Sequence, residues 1–434
     1  MADLTIGILG FVALFALMIL RTPVAFAMLL TGFFGIWWLD GLRRAGAVLM
    51  TETYSAVANY SLIVVPMFIL LGNVASAAGF SRGLYDAAYA WVGRLRGGLA
   101  SASVIGCAAF SAVSGSSIAT AVTIGKVALP EMKRLGYGPG LSTGAIAAGG
   151  TLGFLIPPST GFVIYAILTE ESIGRLFMAG ILPGLLMMAL FMLAIWIVTL
   201  RDPAAGPRGE RVAFRERFAL LLKALPLILV IVVSIGGIYL GVFTPVEASG
   251  VGAALTIVLA FATQSIDLKS FATSVMETVT TSTMLYLIVI GANVLNPFLS
   301  LTGVPTGLEA GLNALGLGTY GTLAVILLSY VVLGMFLDGL AMLVITIPIY
   351  FPVIQALGFD PIWFGVIAVI VIEMGMITPP VGLNVFVVRN VAGDVALGTV
   401  FRGVFPFLIA MIVCLFLIIL FPQIALMIPN SMFN

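Results

Sequence analysis

The sequence predicts an all-α integral membrane protein made of two related halves, each carrying a re-entrant helical hairpin and a broken helix. Three observations lead there. The chain is 61% hydrophobic and only 9% charged, whereas a soluble domain is about one quarter charged. Apolar runs of roughly 17–25 residues, the length that crosses a bilayer as helix, recur along it; they are continuous rather than alternating, which argues against a β-barrel. Finally, a proline pair interrupts an apolar stretch twice, as Gly153-Phe154-Leu155-Ile156-Pro157-Pro158 and as Gly375-Met376-Ile377-Thr378-Pro379-Pro380, with a shift of 222 residues.

The first half is expected over residues 1–200. Its first run, Leu4–Leu20, follows the acidic start Met1-Ala2-Asp3 without a small-residue cleavage site, so it reads as a retained helix rather than a signal peptide. Pro23–Leu39 and Leu62–Ala78 are further crossings, and Ser81–Val92 is either a span or an interfacial helix. Leu99–Leu129 is too long and too rich in Gly and Ser for one simple span, so a hairpin dipping in from one side is expected at about 99–131. A helix broken at the prolines follows at about 141–168, then a last crossing, Leu176–Leu200.

Residues 201–223 carry Arg201, Arg208, Arg211, Arg215, Arg217 and Lys223 against Asp202, Glu210 and Glu216. The basic excess places this stretch in the cytoplasm, and a plain solvated linker is the expected structure. The second half, residues 224–434, then offers Leu225–Leu240 and Val246–Phe261, a hairpin at about 320–354, a broken helix at about 362–390, and the crossing Val400–Phe421.

The halves match beyond the prolines. Thr22-Pro23-Val24 corresponds to Thr244-Pro245-Val246 and Leu135-Gly136 to Leu357-Gly358, both with a shift of 222, while Gly79 corresponds to Gly303 and Gly115 to Gly339 with a shift of 224. An internal duplication is the economical account. An odd number of crossings per half makes the second half upside down relative to the first, with both termini expected in the periplasm.

Several function classes are excluded or weakened. A net charge of +1 gives no reason to expect nucleic acid as a partner, and Cys107 and Cys414, alone in apolar runs, suggest neither a disulfide framework nor a metal site. Histidine is absent, which removes His-based catalysis, ligation and proton relay. Aspartyl cleavage needs two facing carboxylates, and Asp338 has no evident intramembrane Asp partner in the sequence, so no enzyme is expected.

The proline pairs carry the chemistry. A proline inside a helix leaves the carbonyl four residues earlier without its donor, here those of Gly153, Phe154, Gly375 and Met376. Free carbonyls are intolerable against lipid and must line a wet cavity or be buried in protein. Such oxygens suit a small hard cation, while the N–H groups opening the next half-helix suit a carboxylate. Ser111, Ser114, Ser116 and Ser117 surround Gly115 in the first hairpin, and Asp338-Gly339 stands at the equivalent point of the second. The serine cluster could equally serve close helix packing, and Asp338 a helix cap. An intramembrane carboxylate nevertheless reads as functional by default, and hydroxyl and carbonyl oxygens with little full charge fit Na⁺ better than Ca²⁺ or Mg²⁺. Glu247, Glu277 and Glu373 lie in or near apolar runs too, with Glu247 read as structural, either pairing or capping after Pro245. Arg389, nine residues beyond the second break, either neutralises a substrate carboxylate or snorkels at a helix end.

Ser114-Gly115-Ser116-Ser117, Gly153 to Pro158, Thr244-Pro245-Val246-Glu247-Ala248, Leu337-Asp338-Gly339 and Thr378-Pro379-Pro380-Val381-Gly382-Leu383-Asn384 together resemble the large membrane subunit of TRAP (tripartite ATP-independent periplasmic) transporters, across essentially the entire chain. The resemblance implies a Na⁺-driven importer of organic acids, such as C4-dicarboxylates, sialic acid or sugar acids, in the bacterial inner membrane, working as an inverted-repeat elevator. It implies two partners, a periplasmic substrate-binding protein and a small four-helix membrane subunit; the latter is not expected to be fused here, so the chain alone should be incompetent. Carried over, one Na⁺ site would use Ser114, Ser116 and the backbone near Gly150, Gly153 and Pro157. The other would use Asp338, Gly339 and the backbone near Gly375, Thr378 and Pro379. Ser117, Ser159, Asn384 and Arg389 are the candidate substrate contacts. A single-chain Na⁺-coupled carboxylate carrier, working without a binding protein, is the alternative.

Overall fold

The computed structural model describes residues 2–210 and 212–432, apart from the side chains of Ala2, Asp3 and Asn313; Met1, Arg211, Phe433 and Asn434 lie outside the described residues. Every regular element among the described residues is a helix. Eight helices there are long and apolar enough to cross a membrane.

The first part runs α1 (Ala2–Ile19), α2 (Val24–Asp40), α3 (Leu42–Ala58), a 3₁₀ turn, α4 (Val64–Ala77) and α5 (Phe80–Val92). The pair α6 (Gly98–Ser114) and α7 (Ser117–Arg134) folds back as a hairpin, followed by α8 (Pro139–Leu155), α9 (Thr160–Thr169) and α10 (Ile173–Arg201). After residues 202–213 come α11 (Phe214–Tyr239), α12 (Pro245–Ala262), α13 (Leu268–Leu301) and α14 (Val304–Ala314). A second hairpin, α15 (Gly318–Gly334) and α16 (Gly339–Ala356), precedes α17 (Pro361–Ile377), α18 (Leu383–Ala392), α19 (Leu397–Leu420) and α20 (Gln423–Ser431). α3 was not legible in the sequence: its glycine hinge, Gly41 at φ +87°, hides a helix whose Arg43, Arg44 and Glu52 break the apolar pattern. At 13 residues, α5 is about 20 Å long, which is short for a span.

The local signals are ordinary ones. Thr244 and Glu247 form a reciprocal capping box at the start of α12, with the Thr244 N–H donating to Glu247 Oε2 at 2.8 Å, so Glu247 is a structural cap. Asp360 caps α17 by accepting from the N–H groups of Ile362 and Trp363 at 2.8 and 3.0 Å. Pro139, Pro245 and Pro361 open α8, α12 and α17, where a missing N–H costs nothing.

α8 and α17 form the centre. Every residue of α17 from Ile362 to Ile377 is buried, and α8 is buried from Leu141 to Leu155, as befits helices apolar on all faces. α8 packs on α6, α7 and α19; α15 lies along α17 and α16 along α9. An outer layer is built from α13 packed on α2, α3 and α4, with α12 on α4 and α11 on α5.

Small residues set the spacing, as in other membrane bundles. A Cβ on Gly403 of α19 would run into the Gly140 carbonyl of α8, and one on Gly144 would run into the Gly403 carbonyl. Both obstacles are backbone, so Gly403→Ala is expected to cost about 1–3 kcal/mol of stability, read as a lower melting temperature in detergent. An unchanged melting temperature would contradict this packing.

The segment between the halves is mostly exposed over residues 201–210, but its backbone is pinned to the first half. α10 extends to Arg201 and α11 begins at Phe214. In between, the Gly138 N–H donates to Ala205 O, the Gly97 N–H to Gly206 O and the Gly209 N–H to Gly93 O, each at 2.9 Å. The Tyr137 hydroxyl also donates to Pro207 O at 2.8 Å. Residues 205–209 are thus stitched to the loops that flank the first hairpin. Charge counting could not reveal this, because the bonds are made by backbone.

Candidate functional site: the meeting of two hairpin tips and two helix breaks

The first hairpin turns at Gly115, held at φ +59° and packed so closely that a Cβ there would lie 2.7 Å from the Pro158 carbonyl oxygen. The Gly115 carbonyl accepts from the Thr160 N–H at 3.2 Å and the Thr160 hydroxyl at 2.8 Å. These bonds join the hairpin tip to the first helix break, Ile156–Ser159. Ser116 opens α7 by accepting from the Ala119 N–H at 3.4 Å, and the buried Ser114 hydroxyl pairs with Thr120 Oγ1 at 2.7 Å. The two glycines of α8 admit this tip: a Cβ on Gly153 would lie 2.5 Å from Ser116 O, and one on Gly150 would lie 3.0 Å from Ser117 O. Ser114, Ser116, Gly150 and Gly153 are therefore brought together beside the break that contains Pro157. Thr120 adds a third hydroxyl to this group, one not named in the sequence analysis.

The second junction has the same parts. Gly334, at the end of α15, packs on Gly375 of α17, where a Cβ would lie 2.6 Å from Gly334 Cα. Asp338 caps α16, its Oδ1 accepting from the N–H groups of Leu340 and Ala341 at 3.0 and 3.1 Å. That is the cap role considered in the sequence, and it leaves Oδ2 uncommitted. A Cβ on Gly339 would be 3.1 Å from Ile372 and 3.4 Å from Phe154, so this tip touches both broken helices.

The breaks are less bare than expected. Pro157-Pro158 and Pro379-Pro380 each contain a cis peptide bond. The Phe154 carbonyl is not free, because the Ser159 hydroxyl donates to it at 2.5 Å. Nor is that of Gly375, which accepts from the Thr378 N–H at 3.0 Å, while the Thr378 hydroxyl donates to Met374 O at 2.6 Å. Pro157 and Pro380 still offer no N–H to the carbonyls of Gly153 and Met376. A carbonyl that accepts one hydrogen bond also keeps a second lone pair.

Both tips and both broken helices meet at one small cavity of about 70 Å³, lined among others by Ser116, Ser117, Thr160, Asp338, Gly339 and Glu373. Glu373 is 1% exposed. Its Oε1 accepts from the Ser117 hydroxyl at 2.5 Å, a bond across 256 residues that ties α7 to α17, and its Oε2 has no partner. Asp338 and Glu373, far apart in sequence, line the same cavity. The available signal for Glu373 was the one charge in the run Ile362–Ile377, two residues before the glycine that opens the second motif. No basic side chain is among the residues lining this cavity.

The candidate substrate contacts separate. Ser117 lines the cavity. Ser159 is 1% exposed and spends its hydroxyl inside the break, donating to Phe154 and accepting from the Phe162 N–H at 3.3 Å. Arg389 sits exposed in the last turn of α18 and does not line the cavity. Asn384 is fully buried with neither amide atom partnered, which is unusual for a native interior.

Comparison with known proteins now decides the family. The model of the family described as "Tripartite ATP-independent periplasmic transporter, DctM component" matches residues 11–424. The chain belongs to this family. The chain is 38% identical over 388 residues to the C4-dicarboxylate TRAP transporter large permease protein of Pseudomonas aeruginosa, covering 89% of this chain and 90% of the relative. It is 33% identical over 381 residues to the sialic acid TRAP transporter large permease protein of Vibrio cholerae, covering 87% and 88%. It is 31% identical over 422 residues to the ectoine TRAP transporter large permease protein of Halomonas elongata, covering 96% and 97%. Among solved structures, the Alcanivorax borkumensis YdaH transporter aligns with a TM-score of 0.61 and 16% identity over 90% of this chain and 88% of that one; this likeness concerns the fold alone. The TRAP permease described here is thus a multi-pass protein of the bacterial inner membrane.

Proposed function

We propose that this permease imports a small organic acid together with Na⁺, receiving it from a periplasmic binding protein and working beside a small four-helix membrane subunit. The observation that carries the reading is the convergence of both hairpin tips and both broken helices on a cavity whose ionisable liners, Asp338 and Glu373, are acids. An anion entering such a place is repelled by Asp338, and by Glu373 whenever that acid is ionised, since like charges about 4 Å apart interact by several kcal/mol at an effective protein dielectric. Bound cations remove that repulsion, so substrate and Na⁺ enter together. One Na⁺ is assigned to Ser114, Ser116, Gly150, Gly153 and Pro157, and the other to Asp338, Gly339, Gly375, Thr378 and Pro379. No transition metal and no organic cofactor is invoked.

At about 70 Å³, the cavity is well below the ~300 Å³ where ligand pockets begin. Substrate therefore enters when the tips part. The hairpins and broken helices are the mobile block in this reading, α2, α3, α4, α11, α12 and α13 the fixed wall, and the two halves inverted repeats. Ser117 meets the substrate from the hairpin side. Asn384 supplies an amide whose donors and acceptor have no protein partner. Asn384→Leu removes those orphan atoms, so the fold should be no less stable, while uptake falls by about tenfold or more. Unchanged uptake would assign Asn384 to packing.

The deciding experiment is uptake in proteoliposomes with both partner proteins, against a panel of organic acids that includes C4-dicarboxylates, sialic acid and ectoine. Saturable uptake that needs both the binding protein and an inward Na⁺ gradient is expected. Uptake by this chain alone would favour the single-chain carrier.

A further inference from the structure

A second built feature lies away from the transport cavity, at the loops pinned to the segment between the halves. A recess of about 920 Å³ opens there, lined among others by Arg94, Arg96 and Arg208 and by Leu193, Trp196 and Leu200 of α10. All three arginines are exposed, and none makes an ion pair among the described residues. The apolar wall is open as well: Trp196 is 55% exposed, Leu193 45% and Leu200 49%. The chain as a whole carries a net charge of only +1, so three unpaired cations in one recess are a local concentration.

We propose that this recess holds an anionic phospholipid, with the phosphate against Arg94, Arg96 and Arg208 and an acyl chain along Leu193 and Trp196. Both halves of the recess point to an amphiphile. Guanidinium groups present forked donors to phosphate oxygens, and basic pockets between membrane helices on the cytoplasmic side suit anionic headgroups. A soluble anion would leave the apolar wall without a partner. α10 ends at Arg201, so Leu193, Trp196 and Leu200 occupy its last three turns, where headgroup and acyl region meet, and an indole belongs at that depth. The frame is fixed: Gly97 donates to Gly206 O and Gly209 to Gly93 O, which holds the segment bearing Arg208 beside the loop bearing Arg94 and Arg96. The site uses neither carboxylate of the transport cavity and stands whether or not the Na⁺ reading does.

The test is tryptophan quenching with the full chain and its membrane partner in phosphatidylcholine bilayers. These are doped with acyl-brominated phosphatidylglycerol or acyl-brominated phosphatidylcholine, and the Trp196 signal is isolated by subtracting the Trp196→Phe variant. The brominated anionic lipid is expected to quench Trp196 at a bilayer fraction about tenfold lower than the zwitterionic one. The triple variant Arg94→Gln, Arg96→Gln, Arg208→Gln should abolish that preference while keeping its helical circular dichroism. Equal quenching by both lipids would mean annular contact only and would overturn the proposal, as would a preference that survives the triple variant. Relief of quenching by millimolar inorganic phosphate would overturn it in favour of a soluble-anion site.

Discussion

Asp338→Asn is expected to cut uptake at sub-saturating Na⁺ by about 10–100-fold in a protein that still folds. The two duties of Asp338 are separable because they use different atoms. Its Oδ1 accepts from the N–H groups of Leu340 and Ala341, and an asparagine carbonyl can do the same. The full negative charge and the second oxygen are what asparagine lacks. A charged contact is worth about 1.5–3 kcal/mol, so apparent Na⁺ affinity should fall by about 10–100-fold. Asp338→Ala removes the cap as well and should cost a further ~1 kcal/mol of stability. The pair of variants therefore reads out cap and charge independently: Asn keeps the melting temperature near wild type, Ala lowers it, and both lose uptake. Undiminished uptake by Asp338→Asn would remove the charge from the mechanism and leave Asp338 a helix cap.

Glu373→Gln is the second large effect. A buried acid with an unpartnered oxygen is a poor way to stabilise a bundle, since an uncompensated charge in the interior is costly. Gln retains an acceptor for the Ser117 hydroxyl and discards the charge, so the melting temperature should stay the same or rise. Uptake should fall by about tenfold or more, because one of the two acids that favour a cation in the cavity is gone. Stability gained with transport lost is the pattern of a group kept for function. Normal transport by Glu373→Gln would make the acid a bystander, and the bond to Ser117 a packing detail. Glu373→Leu, which also strands the Ser117 hydroxyl, should lose about 1–3 kcal/mol relative to Gln.

What could be read in the sequence follows from which forces act locally. Helix breaks were legible because Pro-Pro acts on its own turn of backbone, whatever surrounds it. Membrane residence was legible because composition is summed over the chain. Tip geometry was partly legible: Gly115 and Gly339 mark turns and close approach, and Ser116 and Asp338 are good caps in any context. Glu373 was not, because its meaning comes from Ser117, a residue 256 positions away. The occupied carbonyls of Phe154 and Gly375 were missed for a related reason. Counting lost N–H donors treats the backbone alone, and the Ser159 hydroxyl and a 3₁₀-like bond from Thr378 fill the gap locally. The exposure of Arg389 was not legible, because it depends on where α18 starts, at Leu383, which leaves Arg389 in the last turn of a ten-residue helix.

The central claim is that the two breaks, completed by the two hairpin tips, hold Na⁺. The most direct measurement is a pair of high-resolution density maps of the assembled transporter, one in saturating Na⁺ and one with choline replacing it. Two ion peaks are expected in Na⁺, one among Ser114, Ser116, Gly150 and Gly153 and one among Asp338, Gly339, Gly375 and Thr378, and both should vanish in choline. Maps that are identical in the two salts, from a preparation whose uptake depends on Na⁺, would contradict the account.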